Sequence, residues 1–219
     1  MVGTDDSPRP PLCFGRSGTP EFRGFEVDLL AVLAAKLGCE FRYESIGWGV
    51  AFGRLRNGSL DMLCRGVNIT PERQRVVSFS QPYFETTLAL VVRSDSHIQD
   101  SGDLIGLNVA VRRATTAEEF LRQHSPAAAP VTFDGHAELY RALTEGAVSA
   151  VVDHHPIATH FARSSASLRV ATSLDRAILR YGMVFARANE PLREAVNGAL
   201  AGLETDGIAE QYRRRWLST

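Results

Sequence analysis

The chain has 219 residues, 44% of them hydrophobic and 22% charged, with a formal net charge of -1. That length supports one large domain or two small lobes, and the dispersed basic residues exclude a nucleic-acid footprint. No stretch approaches the roughly 20 apolar residues that a membrane helix needs, and "MVGTDDSP" does not read as a signal peptide. The abrupt start is expected of a chain trimmed at a processing site.

In chain order, "VGTD" reads as a strand. A helix from about Phe25 to Leu37 carries Val27, Leu30, Ala31, Ala34 and Leu37 on one face and closes at Gly38. "EFRYESI" alternates as a strand, a short helix from about Ala51 to Arg56 stops at Asn57-Gly58, and "LDMLC" is the next strand. After the apolar strand Leu88 to Arg93 and the loop "SDSHIQDSGDL", a second alternating set follows. It runs through strand "NVAV", helix "TAEEFLRQH", strand "VTF", helix "AELYRALTEG" and strand "VSAVV". A further apolar strand, Tyr181 to Arg187, precedes helices at about Pro191 to Thr205 and Ile208 to Trp216. Alternating strands and helices imply parallel sheets.

Three cysteines, Cys13, Cys39 and Cys64, allow at most one disulfide and have no metal-ligand spacing. Cys64 is most simply a small core residue. The run Arg213 to Arg215 suits the C-terminal end of a helix, where cations are favourable.

The segment "CRGVNITPERQRVVSFSQPYF" raises a sharper question. Thr70 reads as an N-cap, Pro71 fits the first helical position and Glu72 suits the first turn, whereas Arg73 puts a cation there. Turned towards the helix start, Arg73 would make an anion site with the free N–H groups; turned outwards, it is a solvated arginine. Ligands of parallel sheets bind outside the carboxyl ends of the strands. That rule gathers Asp5, Trp48, Gly66 to Arg73, Arg112 to Thr116, and Asp153, His154 and His155.

"GFEVDLLAVLAAKLG", "RLRNGSLDMLCRGVNITPERQRVVSFSQPYFET", "LALVVRSDSHIQDSGDLIGLNVAVRRATTAEEFL" and "YGMVFARANEPLREAVNGALAGLETDGIAEQYRRRWL" resemble the extracytoplasmic solute-binding proteins of amino-acid ABC transporters. The same module occurs in ionotropic glutamate receptors. The resemblance covers nearly the whole chain, and "ITPER" followed by "V-x-FSxPY" is its specific part. It implies an α/β fold of two Rossmann-like lobes joined by a two-strand hinge, the periplasmic binding protein type II fold. Lobe 1 would be residues 1–89 plus 184–219 and lobe 2 residues 90–183. The hinge strands would be 88–93 and 181–187, with ligand trapped as the lobes close.

The resemblance assigns Arg73 to the ligand's carboxylate, with Gly66, Asn68, Thr115 and Thr116 as further donors and Trp48 covering the ligand's side chain. A core tryptophan is the plain alternative for Trp48. The family usually has an aspartate two residues before the proline of "VDHHP", binding the ligand's ammonium. Here that position is His154, so either Asp153 takes over or the anchor is gone. A histidine titrating near pH ~6.5 is not a fixed negative charge. Arg9 stands close to a familiar aromatic position, Arg65 where serine or alanine is common, and Arg112 and Arg113 precede "ATT" where glycine is common. Two of these facing inward beside Arg73 would make a strongly cationic pocket.

The implied function is capture of a small carboxylate, an amino acid and plausibly an acidic one, for delivery to an ABC transporter permease. No enzymatic activity, no cofactor, no metal and no nucleic-acid partner are expected, and a monomer is. The expected location is periplasmic or extracellular, with a lipid anchor left open. Two alternatives stay open: the ligand-binding domain of a membrane sensor or receptor, and an enzyme resembling cyclohexadienyl dehydratase. His154 and Asp153 would be the candidates for that enzyme's general acid.

Overall fold

The computed structural model describes residues 1–217, except the side chains of 175–177. The elements of its first part are β1 (Val2–Asp5), α1 (Phe25–Lys36), β2 (Tyr43–Ile46), α2 (Trp48–Arg56), β3 (Met62–Leu63), α3 (Pro71–Gln74), β4 (Ser78–Phe79) and β5 (Phe84–Arg93). A 3-10 turn, Ser101–Leu104, leads to β6 (Asn108–Arg112), α4 (Thr116–His124), β7 (Ala129–Phe133), α5 (His136–Thr144), β8 (Ala150–His154) and α6 (His155–Arg163). Then come β9 (Leu168–Tyr181), β10 (Val184–Phe185), α7 (Glu190–Thr205) and α8 (Ile208–Leu217).

The chain divides into two α/β units, Met1–Glu85 with Arg180–Thr219, and Thr86–Leu179. The first holds a sheet of order β2-β1-β3-β10-β4, in which β1 runs parallel to β2 and β3 while β10 runs antiparallel to β3 and β4. The second holds a sheet of order β7-β6-β8-β5-β9, with β6 parallel to β7 and β8 and with β5 antiparallel to β8. The two central strand ends that matter below are those of β1 and β8.

The division falls within β5, after Glu85, and within β9, after Leu179, not at 89/90 and 183/184. The first crossing strand begins earlier than 88–93 because "FETT" already adopts extended backbone before its apolar run. The second is the end of β9 and not 181–187, which Gly182 and Met183 split from β10. Strand β9 is absent from the sequence reading because "LRVATSLDR" mixes short polar and charged residues and lacks a sustained apolar stripe.

Helix α1 forms where expected and closes at Gly38, whose φ of 64° is a left-handed position favouring glycine. Its buried face differs, however. Phe25, Glu26, Leu29, Leu30, Leu33 and Ala34 are buried, whereas Val27 and Leu37 are half-buried and Ala31 is exposed. The helix is apolar around most of its circumference, so periodicity did not single out one stripe. The larger leucines and Phe25 bury more apolar area than a face built on alanines would. A carboxylate, Glu26, goes inward with them.

Candidate functional site

In the first unit, Thr70 caps α3: its Oγ1 accepts from the Arg73 N–H at 3.3 Å, and Pro71 takes the first helical position. The helix is a single turn, too short to carry much dipole. The anion-binding capacity of this segment therefore lies in the Arg73 side chain itself. Its Nη1 donates to the Asn68 carbonyl at 2.9 Å, and its guanidinium carbon lies 5.1 Å from the Trp48 ring centroid. Trp48 opens α2, packs against the apolar cluster around Leu55, Leu63 and Val77, and meets Phe52 edge-on at 5.3 Å. Arg65 lies over the same indole at 5.3 Å. Trp48 is half-buried, with two guanidinium groups near its ring.

Asn68 is buried and its Oδ1 accepts from the Arg180 N–H at 2.8 Å. Gly66 has a φ of 57°, and a Cβ there would collide with Arg9 Nη1. Its N–H donates to Tyr83 Oη at 3.2 Å, so this donor is engaged within the unit.

Asp5, at the carboxyl end of β1, is 1% exposed. Its Oδ1 accepts a short bond from Arg65 Nη2, and its Oδ2 lies 2.6 Å from Arg9 Nε. Arg65 also donates through Nη1 to the Ile46 carbonyl at 2.5 Å. Arg9 donates through Nη2 to Glu26 Oε2 at 2.7 Å, and Tyr83 Oη donates to Glu26 Oε1 at 2.5 Å. Two acids and two arginines thus form one buried network that ends on Gly66. Burial works against the charge of Arg9, but Glu26 and Asp5 outweigh it and raise its pKa. Burial, and then Glu26, push the Tyr83 hydroxyl well up. The sequence reading named Asp5, Arg9 and Arg65 but missed Glu26 and Tyr83. A carboxylate in the first turn of an otherwise apolar helix was the available signal for Glu26.

In the second unit, Asp153 and His154 end β8. Strand alternation sends them to opposite faces. Asp153 is 3% exposed and turns towards α5, where its Oδ2 accepts from Tyr140 Oη at 3.1 Å and lies 3.6 Å from His136 Nε2. Its Oδ1 accepts from the His154 N–H at 2.8 Å. Burial alone would raise its pKa, but His136 and His154 more than offset that and lower it. His154 Nε2 instead lies 3.3 Å from Thr116 Oγ1, at the start of α4.

Thr115 is the N-cap residue of α4, and its hydroxyl donates to the Arg112 carbonyl at 2.6 Å. Arg112 Nε donates to the Asp134 carbonyl at 3.2 Å, and exposed Arg113 pairs with the Asp134 carboxylate at 3.0 Å. Between these arginines and the helix, Ala114 holds a φ of 56°. Buried Arg65 is thus matched by Asp5, whereas Arg112 meets a neutral carbonyl. His155, the first residue of α6, is half-buried, with Thr159 Oγ1 3.4 Å from its Nδ1.

All three cysteines are free, and burial, the largest influence, pushes the Cys13 thiol up to about 11 and Cys64 well up. Among the described residues no group of His, Cys, Asp and Glu could hold a metal ion.

Two α/β units, crossed by two strands and carrying polar groups at the ends of parallel strands, define a two-lobed solute-binding architecture. The chain matches the family described as bacterial extracellular solute-binding proteins, family 3, over residues 1–219, and it belongs to that family. L-cystine-binding protein TcyJ of Escherichia coli (strain K12) is 28% identical over 220 residues, covering 99% of this chain and 82% of that protein. ABC transporter arginine-binding protein 1 of the same organism is 25% identical over 201 residues, covering 90% and 82%. A solved structure of an ancestral arginine-binding protein bound to arginine is 28% identical with a TM-score of 0.90, covering 99% of this chain and 97% of that one.

Proposed function

We propose that this protein captures a small carboxylate solute outside the cytoplasm and delivers it to an ABC transporter permease, with Arg73 as the carboxylate anchor. The observation that carries the reading is the pose of Arg73: half-buried, braced by the Asn68 carbonyl, and lying against Trp48. A guanidinium fork matches a carboxylate in plane and spacing, and the indole beside it offers an apolar face for the rest of the solute. In the second unit, taken by itself, the start of α4 offers backbone N–H groups, while the Thr115 hydroxyl is engaged by the Arg112 carbonyl. The family membership and the amino-acid-binding relatives support an amino acid.

Asp153 is not the solute's ammonium anchor in this reading, because both its oxygens are engaged inside the second unit. His154 faces the α4 side and suits an acceptor or a neutral donor. Recognition then rests on the carboxylate more than on the amine.

Arg73→Ala is the direct test. Each charge-assisted hydrogen bond is worth about 1.5–3 kcal/mol, so loss of the fork should weaken a carboxylate solute by roughly a hundredfold or more. The melting temperature should hold, since the side chain is only half-buried and lies on a one-turn helix. Calorimetry showing unchanged affinity would remove Arg73 from the site.

A further inference from the structure

The parallel strand β1 delivers Asp5 to its carboxyl end, where such sheets bind ligands. A carboxylate so placed is the natural partner of a cationic solute. Yet its two oxygens already face two cations of the same unit. Arg65 is bonded to Oδ1 and fixed by the Ile46 carbonyl, and its guanidinium carbon lies 5.3 Å from the Trp48 ring centroid. Arg9 meets Oδ2 at 2.6 Å, by charge more than by an aligned N–H, and is fixed by Glu26. The side chains of Asp5, Arg9 and Arg65 are 1%, 4% and 1% exposed. Half-buried Asp6 also leans on Arg65, at 4.0 Å.

We infer that Arg9 and Arg65 are built-in counter-cations that close Asp5 to incoming cations, so that this chain rejects solutes with a guanidinium or ammonium side chain. This rests on the reading that the strand ends of the first unit line the solute site, and it sets the selectivity of that site. Three features act together. Each oxygen of the carboxylate already faces a guanidinium group, and each of those groups is tethered by a second partner, so neither swings away without leaving a buried charge uncompensated. The four buried charges, Asp5 and Glu26 against Arg9 and Arg65, sum to zero, so the buried network itself offers no net negative charge to draw a cation in. Finally, the indole that would receive a solute's side chain already carries two guanidinium groups, Arg65 and Arg73, and a third cation there meets like charge. The arginines occupy the place of a cationic ligand. The chain's selectivity would then differ from that of relatives described as arginine-binding.

The test uses the full chain at pH 7.5 with L-arginine, L-lysine, ethylguanidinium, L-glutamate and glutarate, read by thermal shift and calorimetry. The wild-type protein should bind no cationic probe, whereas Arg9→Ala and Arg65→Ala uncover a buried carboxylate and should gain at least tenfold in affinity for ethylguanidinium. Wild-type binding of L-arginine as tight as that of the acidic probes overturns the inference, as does a folded alanine variant with no response to ethylguanidinium. Should both variants fail to fold, recovery of soluble folded protein when they are refolded with ethylguanidinium supports it, and equal loss with or without the cation overturns it. The Arg73→Ala control separates the two readings. Acid binding that survives it sinks the carboxylate anchor, while the cation arms still report on Asp5.

Discussion

Each unit buries one aspartate at a strand end, and the two are held in opposite ways. Asp5, 1% exposed, is compensated by two guanidinium groups that stay charged at any ordinary pH. Asp153, 3% exposed, is compensated by a phenol, a backbone N–H and an imidazole. A carboxylate locked by fixed charges is insensitive to pH but intolerant of losing a partner. One held by hydrogen bonds and a titratable ring tolerates more at neutral pH and fails in acid.

The sharpest way to break this contrast is Glu26→Ala. It leaves Arg9 buried beside a single carboxylate, and breaking one side of a buried pair costs about 3–5 kcal/mol. At 2–4 °C per kcal/mol for a chain of this size, the melting temperature should fall by roughly 6–20 °C. A fall of only a degree or two would mean that Arg9 finds another partner and that the network is not locked. Solute affinity should suffer as well, because Tyr83 loses its acceptor and, with it, the orientation that receives the Gly66 N–H.

Asp153→Asn sharpens the other half. The amide keeps a carbonyl for Tyr140 or for the His154 N–H but loses the charge facing His136, a loss of about 1–3 kcal/mol at neutral pH. The folded carboxyl titrates below its ordinary value of 3.8, so its contribution is present above about pH 4 and disappears as the pH falls through the folded value. The stability gap between wild type and variant should therefore close between pH 4 and the folded pKa. A gap of equal size at pH 7 and pH 2 would show that the effect is steric and not electrostatic. Affinities for a carboxylate with and without an amine should shift together in this variant.

These contrasts were only partly open to inspection in the sequence. The "ITPER" cap was legible because capping is local: Thr70, Pro71 and the N–H of Arg73 lie within four residues. So was the place of Asp5 at the end of β1, of Trp48 at the start of α2 and of Thr116 at the start of α4, since alternating elements put such residues where a strand gives way to a helix. The direction of Asp153 was not legible. It depends on which face of β8 meets α5, and a one-residue shift in register exchanges Asp153 for His154. Nor was the fate of Arg9 and Arg65, whose partners come from β1, α1 and the Ile46 carbonyl and, apart from the Arg9–Asp5 pair, lie 17 to 60 residues away. Long-range charge pairing leaves no periodic trace. The same holds for the buried face of α1, where an inward Glu26 makes sense only once Arg9 is in place.

The smallest predicted effect also tests the geometry most finely. Gly66 and Ala114 share a left-handed backbone, with φ of 57° and 56°. At Gly66 the absent Cβ is required twice, by the backbone and by the Arg9 guanidinium packed where it would stand. At Ala114 only the backbone objects: the residue is exposed, and its N–H donates to Glu118 Oε2 at 2.7 Å, a bond that any residue with an N–H preserves. A non-glycine residue in this region costs about 1–2 kcal/mol, against which the extra flexibility of unfolded glycine weighs about 0.5–1 kcal/mol. Ala114→Gly should thus stabilise the protein by about 0.5–1 kcal/mol, raising the melting temperature by roughly 1–4 °C. Because Thr115 still donates to the Arg112 carbonyl and α4 keeps its start, solute affinity should stay the same. A drop in melting temperature on this change would mean that the methyl group at Ala114 makes packing contacts worth more than the backbone strain it imposes.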